Sequence, residues 1–319
     1  MTRHITEPLA PGLTRTWTVS EVLFEAQTPY QHMLIGRTEH GITLFSGNID
    51  AADVMERQSA EKGPSQLVYH EALMVPALAL AGPGRAPARD RVLIVGSSEG
   101  VAAQMARNAG AAHIDHVDID RECVQACARY LPYGYTPAEV DAALAGEGRV
   151  RLHIEDGLQF VEARLKENRT LSAEDRTSYD VIVIDVQDEH PTGGAQHNRL
   201  YAPYFLQRCK DLLTPDGVLS TQAGSFILWQ QDTLRQTLKR YSELFPSILC
   251  YSSWEHGWSF VTGKKSASAN PLPTELQRRL AKLPFQPVTL DALSAASATI
   301  LPFHARSAVS PATGPSQEL

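Results

Sequence analysis

Apolar and polar residues change rhythm twice along this chain. Over residues 13–60 short stretches alternate with a period of two, at 18–24, 31–38 and 41–45, and Glu39-His40-Gly41 supplies a hairpin turn between the last two. This predicts a small antiparallel β-domain spanning residues 1–64. From Ser65 the spacing turns helical, with Leu67, Leu73, Met74, Ala77 and Leu78 on one face, up to the breaker Gly82-Pro83-Gly84. Continuous apolar runs then alternate with amphipathic stretches. Strands are predicted at 91–95, 113–119, 149–154, 180–184 and 217–222, and helices at 101–108, 121–130, 158–167, 201–213 and 229–244. Residues 248–252 and 258–262 read as a closing antiparallel pair, 274–283 as a short helix and 290–303 as a further segment. Such alternation predicts an α/β fold, a Rossmann-like methyltransferase-type parallel sheet with helices on both faces over residues 65–306, and a disordered tail over 307–319.

Composition narrows the setting. A chain of 319 residues, 43% apolar, suffices for one large core and an appendage. It has no run of eighteen apolar residues, and its start is polar and proline-containing, so a soluble cytoplasmic protein without a membrane partner is expected. A net charge of -7 argues against nucleic acid and suits a cationic substrate. Of four cysteines only Cys123 and Cys127 are close, on one helical face with no histidine beside them, which predicts buried thiols and no metal.

Ligands of an open parallel sheet sit at the carboxyl ends of its strands, and here those ends are acidic. The first strand leads into Gly96-Ser97-Ser98-Glu99-Gly100, the second ends in Asp118-Ile119-Asp120, the third in Glu155-Asp156-Gly157 and the fourth in Asp185-Val186-Gln187-Asp188. The Gly96–Gly100 turn stands where a nucleotide loop would, without the full set of glycines. Asp118 lies about twenty residues beyond it, where a carboxylate accepts both ribose hydroxyls. Glu99 would repel a pyrophosphate, which favours a nucleoside cofactor without phosphate, such as an S-adenosyl sulfonium. Carboxylates in a low-dielectric cleft favour both a sulfonium and a protonated amine.

Several motifs together resemble the spermidine synthase-like polyamine aminopropyltransferases, including the thermospermine branch. They are Thr28-Pro29-Tyr30-Gln31, Gly47 with Ile49, Tyr69-His70-Glu71, residues 92–96, Val117-Asp118-Ile119-Asp120, Asp156-Gly157, residues 179–188 with Asp185-x-x-Asp188, and Gln222-Ala223-Gly224. Gly193-Gly194 with Leu200-Tyr201 is similar to the branch that uses longer polyamines, and residues 300–303 look like the family's closing strand. The resemblance implies transfer of a 3-aminopropyl group from decarboxylated S-adenosylmethionine to a di- or polyamine, with methylthioadenosine released. It implies Asp185 as the acid-base residue, with Tyr69, Asp188, Gln222 and Trp258 about the amine. Gln31, His70, Gly96, Glu99, Asp118, Asp156 and Gly157 would hold the donor, with Asp118 on the ribose and Asp156 near the adenine amino group. A homo-oligomer, dimer or tetramer, is implied by the same likeness.

The chain departs from the family pattern at Glu99, which replaces Asp, at Ser97 and Ser98, which replace glycines, at Asp50, at Glu189-His190-Pro191, and in the aromatic loop 254–258. The same residues are compatible with two other functions. One is methyl or aminocarboxypropyl transfer from intact S-adenosylmethionine to an amine. The other is non-catalytic binding of a nucleoside or polyamine, although a sensor would not need both Asp185 and Asp188.

Overall fold

The computed structural model describes residues 2–10, 12–47, 53–62, 66–82, 90–189, 196–227 and 230–309. Ile49, Asp50, Pro83-Gly84, His190-Pro191, Gly193-Gly194 and Trp229, which figure in the sequence expectations, and the last ten residues lie outside them.

The alternating N-terminal stretch forms six strands. β1 (Arg3–Ala10) and β2 (Leu13–Val19) make a hairpin, and β3 (Glu21–Gln27), β4 (His32–Thr38), β5 (Gly41–Gly47) and β6 (Met55–Ala60) make a four-stranded antiparallel meander. The expected strand at 18–24 is therefore two strands. Ser20 turns the corner between them, its N–H and hydroxyl both donating to the Arg37 carbonyl, while the polar-apolar alternation runs on through the corner and hides it. Period two gives each face a different neighbour. Leu34, Phe45 and Met55 meet Ile5, Trp17 and Val19 of the hairpin, whereas Met33, Ile35 and Leu44 meet Cys123 and Cys127.

Helix α1 (Gln66–Leu80) enters the second region and is apolar nearly all round, because it lies against the large sheet and under further helices. Its Glu71 is pinned by the Val288 and Thr289 N–H groups and the Thr289 hydroxyl, at 2.6–2.7 Å, so this motif residue holds the C-terminal segment. The carbonyls of residues 79–82, in the last turn of α1 and just past it, accept from the buried Arg279 guanidinium, which offsets the negative end of the helix dipole.

Next come β7 (Arg91–Gly96), α2 (Val101–Asn108), β8 (His113–Asp118), α3 (Arg121–Tyr130), α4 (Pro137–Leu144), β9 (Val150–Ile154), α5 (Gly157–Asn168) and β10 (Tyr179–Asp185). They are followed by α6 (Pro203–Leu212), β11 (Leu213–Ser225), α7 (Asp232–Leu244), β12 (Ser247–Ser253), β13 (Trp258–Lys264), α8 (Leu272–Leu280) and α9 (Ala292–Ala298). The seven-stranded sheet has the order β12-β13-β11-β10-β7-β8-β9, parallel except at β13, which pairs antiparallel with both β11 and β12. Apolar side chains cover both faces: α1, α2 and α8 on one, α5, α6 and α7 on the other. An α/β fold with a parallel-dominated sheet and a small antiparallel N-terminal β region is what the alternation predicts.

Residues 300–303 are not the expected strand. Pro302 has no N–H for a ladder, and a 3-10 turn over Phe303–Ala308 instead buries Ala305 beside α7. Helix α4 went unforeseen although its start is written in the sequence: Thr136 and Glu139 form a reciprocal capping box with Pro137 in the first turn.

Candidate active site

The parallel register brings the strand ends level. Asp185 at the end of β10 pairs with Gly96 at the end of β7, and Asp118 closes β8 next to them. Gly96 has φ 85°, and a Cβ there would sit 2.1 Å from the Asp185 carbonyl oxygen, so the loop presses directly on the aspartate. Ser97 follows with φ 66°, the one described non-glycine residue at positive φ, and its N–H donates 2.8 Å to the same carbonyl. The Glu99 carbonyl accepts from the Tyr135 N–H, and His116, beneath the loop, donates from Nε2 to the Gly96 carbonyl at 2.7 Å. Burial lowers that imidazole to about 4, so it is neutral at physiological pH.

Asp185 is the focus of the cleft. Tyr69 on α1 donates 2.7 Å to its Oδ1, and His70 Nε2 lies 3.8 Å from its Oδ2. Burial raises the pKa of Asp185 above its ordinary value, the His70 charge lowers it, Glu99 adds to the rise, and the hydroxyls of Tyr69 and Ser97 counter it. A buried carboxylate of this kind is a better proton acceptor than a solvated one. Asp188 is pushed up further, by burial first and then by the Glu56 carboxylate. Glu56 reaches this side because it stands opposite Ser46 across β5 and β6, and Ser46 accepts from Gln187 at 2.8 Å. Glu7 of β1 adds a further carboxylate near Asp188, fixed by the Trp17 indole N–H at 2.7 Å.

The walls are tied together by amides and rings. Gln222 accepts from Gly224 N–H and from Trp258 Nε1 and donates 2.6 Å to the Tyr201 hydroxyl, which donates to the Val186 and Gln187 carbonyls. The Tyr69 ring packs edge-on to His70 and Phe260 and against His256, about 5 Å between centroids. His256 in turn meets Trp258 edge-on.

At the donor end, Asp118 accepts from the Ser98 hydroxyl at 2.7 Å and from the Asp120 N–H at 2.9 Å. Burial raises Asp118 to about 7, with these hydrogen bonds opposing and Asp120 and Glu99 adding to the rise. Gln31 donates to Asp120 at 2.9 Å and accepts from Gln187, which stitches the β-domain to the strand ends. Asp156 caps α5 through the Gln159 N–H and is ion-paired with Arg199. Gly157 lets α5 approach β7, since a Cβ would lie 2.5 Å from Val95.

The structure thus gathers Tyr69, His70, Gly96, Glu99, Asp118, Asp185, Asp188, Gln222 and Trp258 around one rim, with Gln31, Asp156 and Gly157 at its edges. Ser97 and Ser98 were not foreseen as hydroxyl donors, Gln187, Tyr201 and His256 stood in segments already noted but without a role, and Glu7 and Glu56 were not foreseen at all. Only the two serines carried a signal, by standing where glycines are usual. Among the described residues no group of three His, Cys, Asp or Glu side chains could hold a metal, and no helix is long and apolar enough to cross a membrane.

Comparison with known proteins agrees with this geometry. Residues 66–270 match the family model of the spermine/spermidine synthase domain. A polyamine aminopropyltransferase of Pyrobaculum neutrophilum is 27% identical over 280 residues, 86% of each chain, and one of Prochlorococcus marinus is 30% identical over 79% of each chain. Among solved structures, a spermidine synthase in complex with the transition-state analogue AdoDATO superposes with a TM-score of 0.74 at 19% identity, covering 97% of this chain and 96% of that one. Spermidine synthase from Thermotoga maritima gives 0.71 at 17% identity, over 97% and 95%. Since the matched domain covers more than half of its length, this chain belongs to the spermine/spermidine synthase family.

Proposed function

We propose that this protein transfers a 3-aminopropyl group from decarboxylated S-adenosylmethionine to a di- or polyamine and releases methylthioadenosine. The observation that carries this is Asp185, a buried carboxylate of raised basicity that is oriented by Tyr69 and stands between the Glu99 loop and Asp188. The acceptor enters as an ammonium ion and must lose one proton to become a nucleophile. Asp185 orients that nitrogen and takes the proton, and Tyr69 fixes the carboxylate while it does so. The neutral nitrogen attacks the carbon beside sulfur in line, the carbon–sulfur bond breaks, and its electron pair neutralises the sulfonium. Asp188, with Glu56 and Glu7 behind it, offsets the charge of the incoming amine.

On the donor side, Asp118 takes the ribose hydroxyls, with Gln31, Gly96, Asp156 and Gly157 shaping the nucleoside site. Glu99 attracts the free amine of the decarboxylated donor and repels the carboxylate of intact S-adenosylmethionine. Gln222 and Trp258 form the acceptor wall. We place the reaction in the cytoplasm, in keeping with four buried thiols, none of them in a disulfide. A homo-oligomer through the β-domain is supported by Leu13, Val22, Tyr30 and Val54, large apolar side chains exposed on or beside its strands.

Purified protein given decarboxylated S-adenosylmethionine and a panel of amines should release methylthioadenosine in step with amine consumption. No release with any amine in the panel overturns the proposal.

A further inference from the structure

Two buried side chains beneath the Gly96–Gly100 loop fasten both of its ends. At the entry, the Gly96 carbonyl lies 2.7 Å from His116 Nε2. A carbonyl can only accept, so Nε2 carries the ring proton. Burial lowers the ring to about 4, which leaves Nδ1 a bare acceptor at neutral pH. The Tyr135 hydroxyl fills that acceptor at 2.9 Å, and burial keeps this hydroxyl protonated by pushing its pKa well above the ordinary value. At the exit, the Tyr135 N–H donates 2.9 Å to the Glu99 carbonyl, and the Tyr135 ring lies so close to Gly100 that a Cβ there would meet it at 2.2 Å. The turn before Tyr135 is held by α2, from which Gln104 Nε2 donates 2.6 Å to the Gly134 carbonyl. His116 and Tyr135 are both buried.

We propose that Tyr135 and His116 are positioning residues that clamp the span of this loop and thereby set donor selectivity, an assignment that rests on the transfer reaction proposed above. The path from the Glu99 carbonyl through Tyr135 and His116 to the Gly96 carbonyl closes a ring of hydrogen bonds under the loop. Both residues act through the loop backbone. Tyr135 is the element that joins the two ends, since its N–H holds one and its hydroxyl, by way of His116, holds the other.

What the clamp fixes are the groups that address the donor. Ser98 donates 2.7 Å to Asp118, the carboxylate proposed for the ribose, and Glu99 carries the charge proposed to separate the two donors. A displacement of about 1 Å at such a group is enough to lose its contribution. Ser97 explains why the loop needs fastening. A side chain at φ 66° is disfavoured relative to glycine, and bonds at both ends hold the backbone there.

The test is calorimetry with decarboxylated and intact S-adenosylmethionine, together with kcat at saturating donor, for the wild type, Tyr135→Phe, His116→Leu and His116→Gln. Tyr135→Phe removes one oxygen and keeps the ring against Gly100, which secures folding. It should weaken binding of the decarboxylated donor about tenfold and cut the preference over intact S-adenosylmethionine at least about threefold, with kcat within about threefold of wild type. His116→Leu should lose at least as much, and combining it with Tyr135→Phe should lose no more than His116→Leu alone, because both act along one path. His116→Gln keeps a side-chain N–H for the Gly96 carbonyl and should recover most of the affinity. Unchanged affinity and preference, equal weakening of both donors, or a loss confined to kcat overturns the clamp. A wild type that binds neither donor counts against the transfer reaction, and NMR then decides the clamp without donor. A neutral His116 ring protonated at Nε2, with faster exchange of the Gly100 amide in Tyr135→Phe, supports it, and a ring protonated at Nδ1 or unchanged exchange excludes it.

Discussion

The donor half of the cleft is made of successive turns at one sheet edge, whereas the acceptor half is gathered from segments far apart in the chain. Gly96 and Asp118 end strands of the same parallel set, and Glu99 and Asp156 follow strands of it, so topology alone brings them level. Around the acceptor, Tyr69 meets Asp185 across 116 positions, Ser46 meets Gln187 across 141, and Gln222 meets Tyr201 and Trp258. The donor half is therefore set by backbone register and the acceptor half by side-chain contacts. Changes in the first should act through loop geometry and charge, and changes in the second through the reacting nitrogen.

The sharpest way to break this division is Asp185→Asn, which keeps the shape and the Tyr69 contact but cannot accept a proton. We expect kcat to fall on the order of 1000-fold with donor affinity little changed, measured by methylthioadenosine release and calorimetry. Next comes Gly96→Ala, where a new Cβ meets the Asp185 carbonyl and φ is positive. A loss of about 2–4 kcal/mol in denaturant unfolding is expected, and an unchanged midpoint would mean the loop does not press on that strand end.

Asp118 links the donor half to pH. Its folded value of about 7 lies above the unfolded carboxylate value, so the donor-free fold holds a proton that the unfolded chain has lost. Stability from this group is full below about pH 4 and lost as pH rises towards 7. Ribose binding wants the ionised form, so donor affinity should weaken up to about tenfold per pH unit below 7 and level off above it. Asp118→Asn should flatten both curves, and a donor affinity independent of pH between 5 and 7 in the wild type would remove Asp118 from the ribose site. The mildest expected effect is that of Glu99→Gln, about tenfold weaker binding of the decarboxylated donor and a narrower preference over S-adenosylmethionine.

Legibility in the sequence follows the same division. The strands 91–95 and 180–184 are short continuous apolar runs, and a strand buried on both faces cannot look otherwise. Their ends could be read directly, which is why Glu99 and Asp185 could be named as neighbours from the sequence alone. The hairpin of β1 and β2 escaped because Pro8 and Pro11 interrupt its alternation, and the corner at Ser20 because the alternation does not break there. Glu7 and Glu56 face Asp188 only because β1 and β6 lie beside each other and Glu56 opposes Ser46, and no local spacing encodes that. His256 and Tyr201 are ordinary aromatic residues in sequence, and become walls of the cleft only when the antiparallel pair β12–β13 and the segment after β10 close over Tyr69.

On this reading, carboxylates gathered at one rim select a donor without a carboxylate of its own. Calorimetry of the wild-type protein with decarboxylated and intact S-adenosylmethionine, at equal salt and pH 7.5 or above, where Asp118 is mostly ionised, tests it most directly. The decarboxylated donor should bind at least about tenfold more tightly, with the gap shrinking as salt is raised. Equal affinity, or tighter binding of intact S-adenosylmethionine, would contradict it.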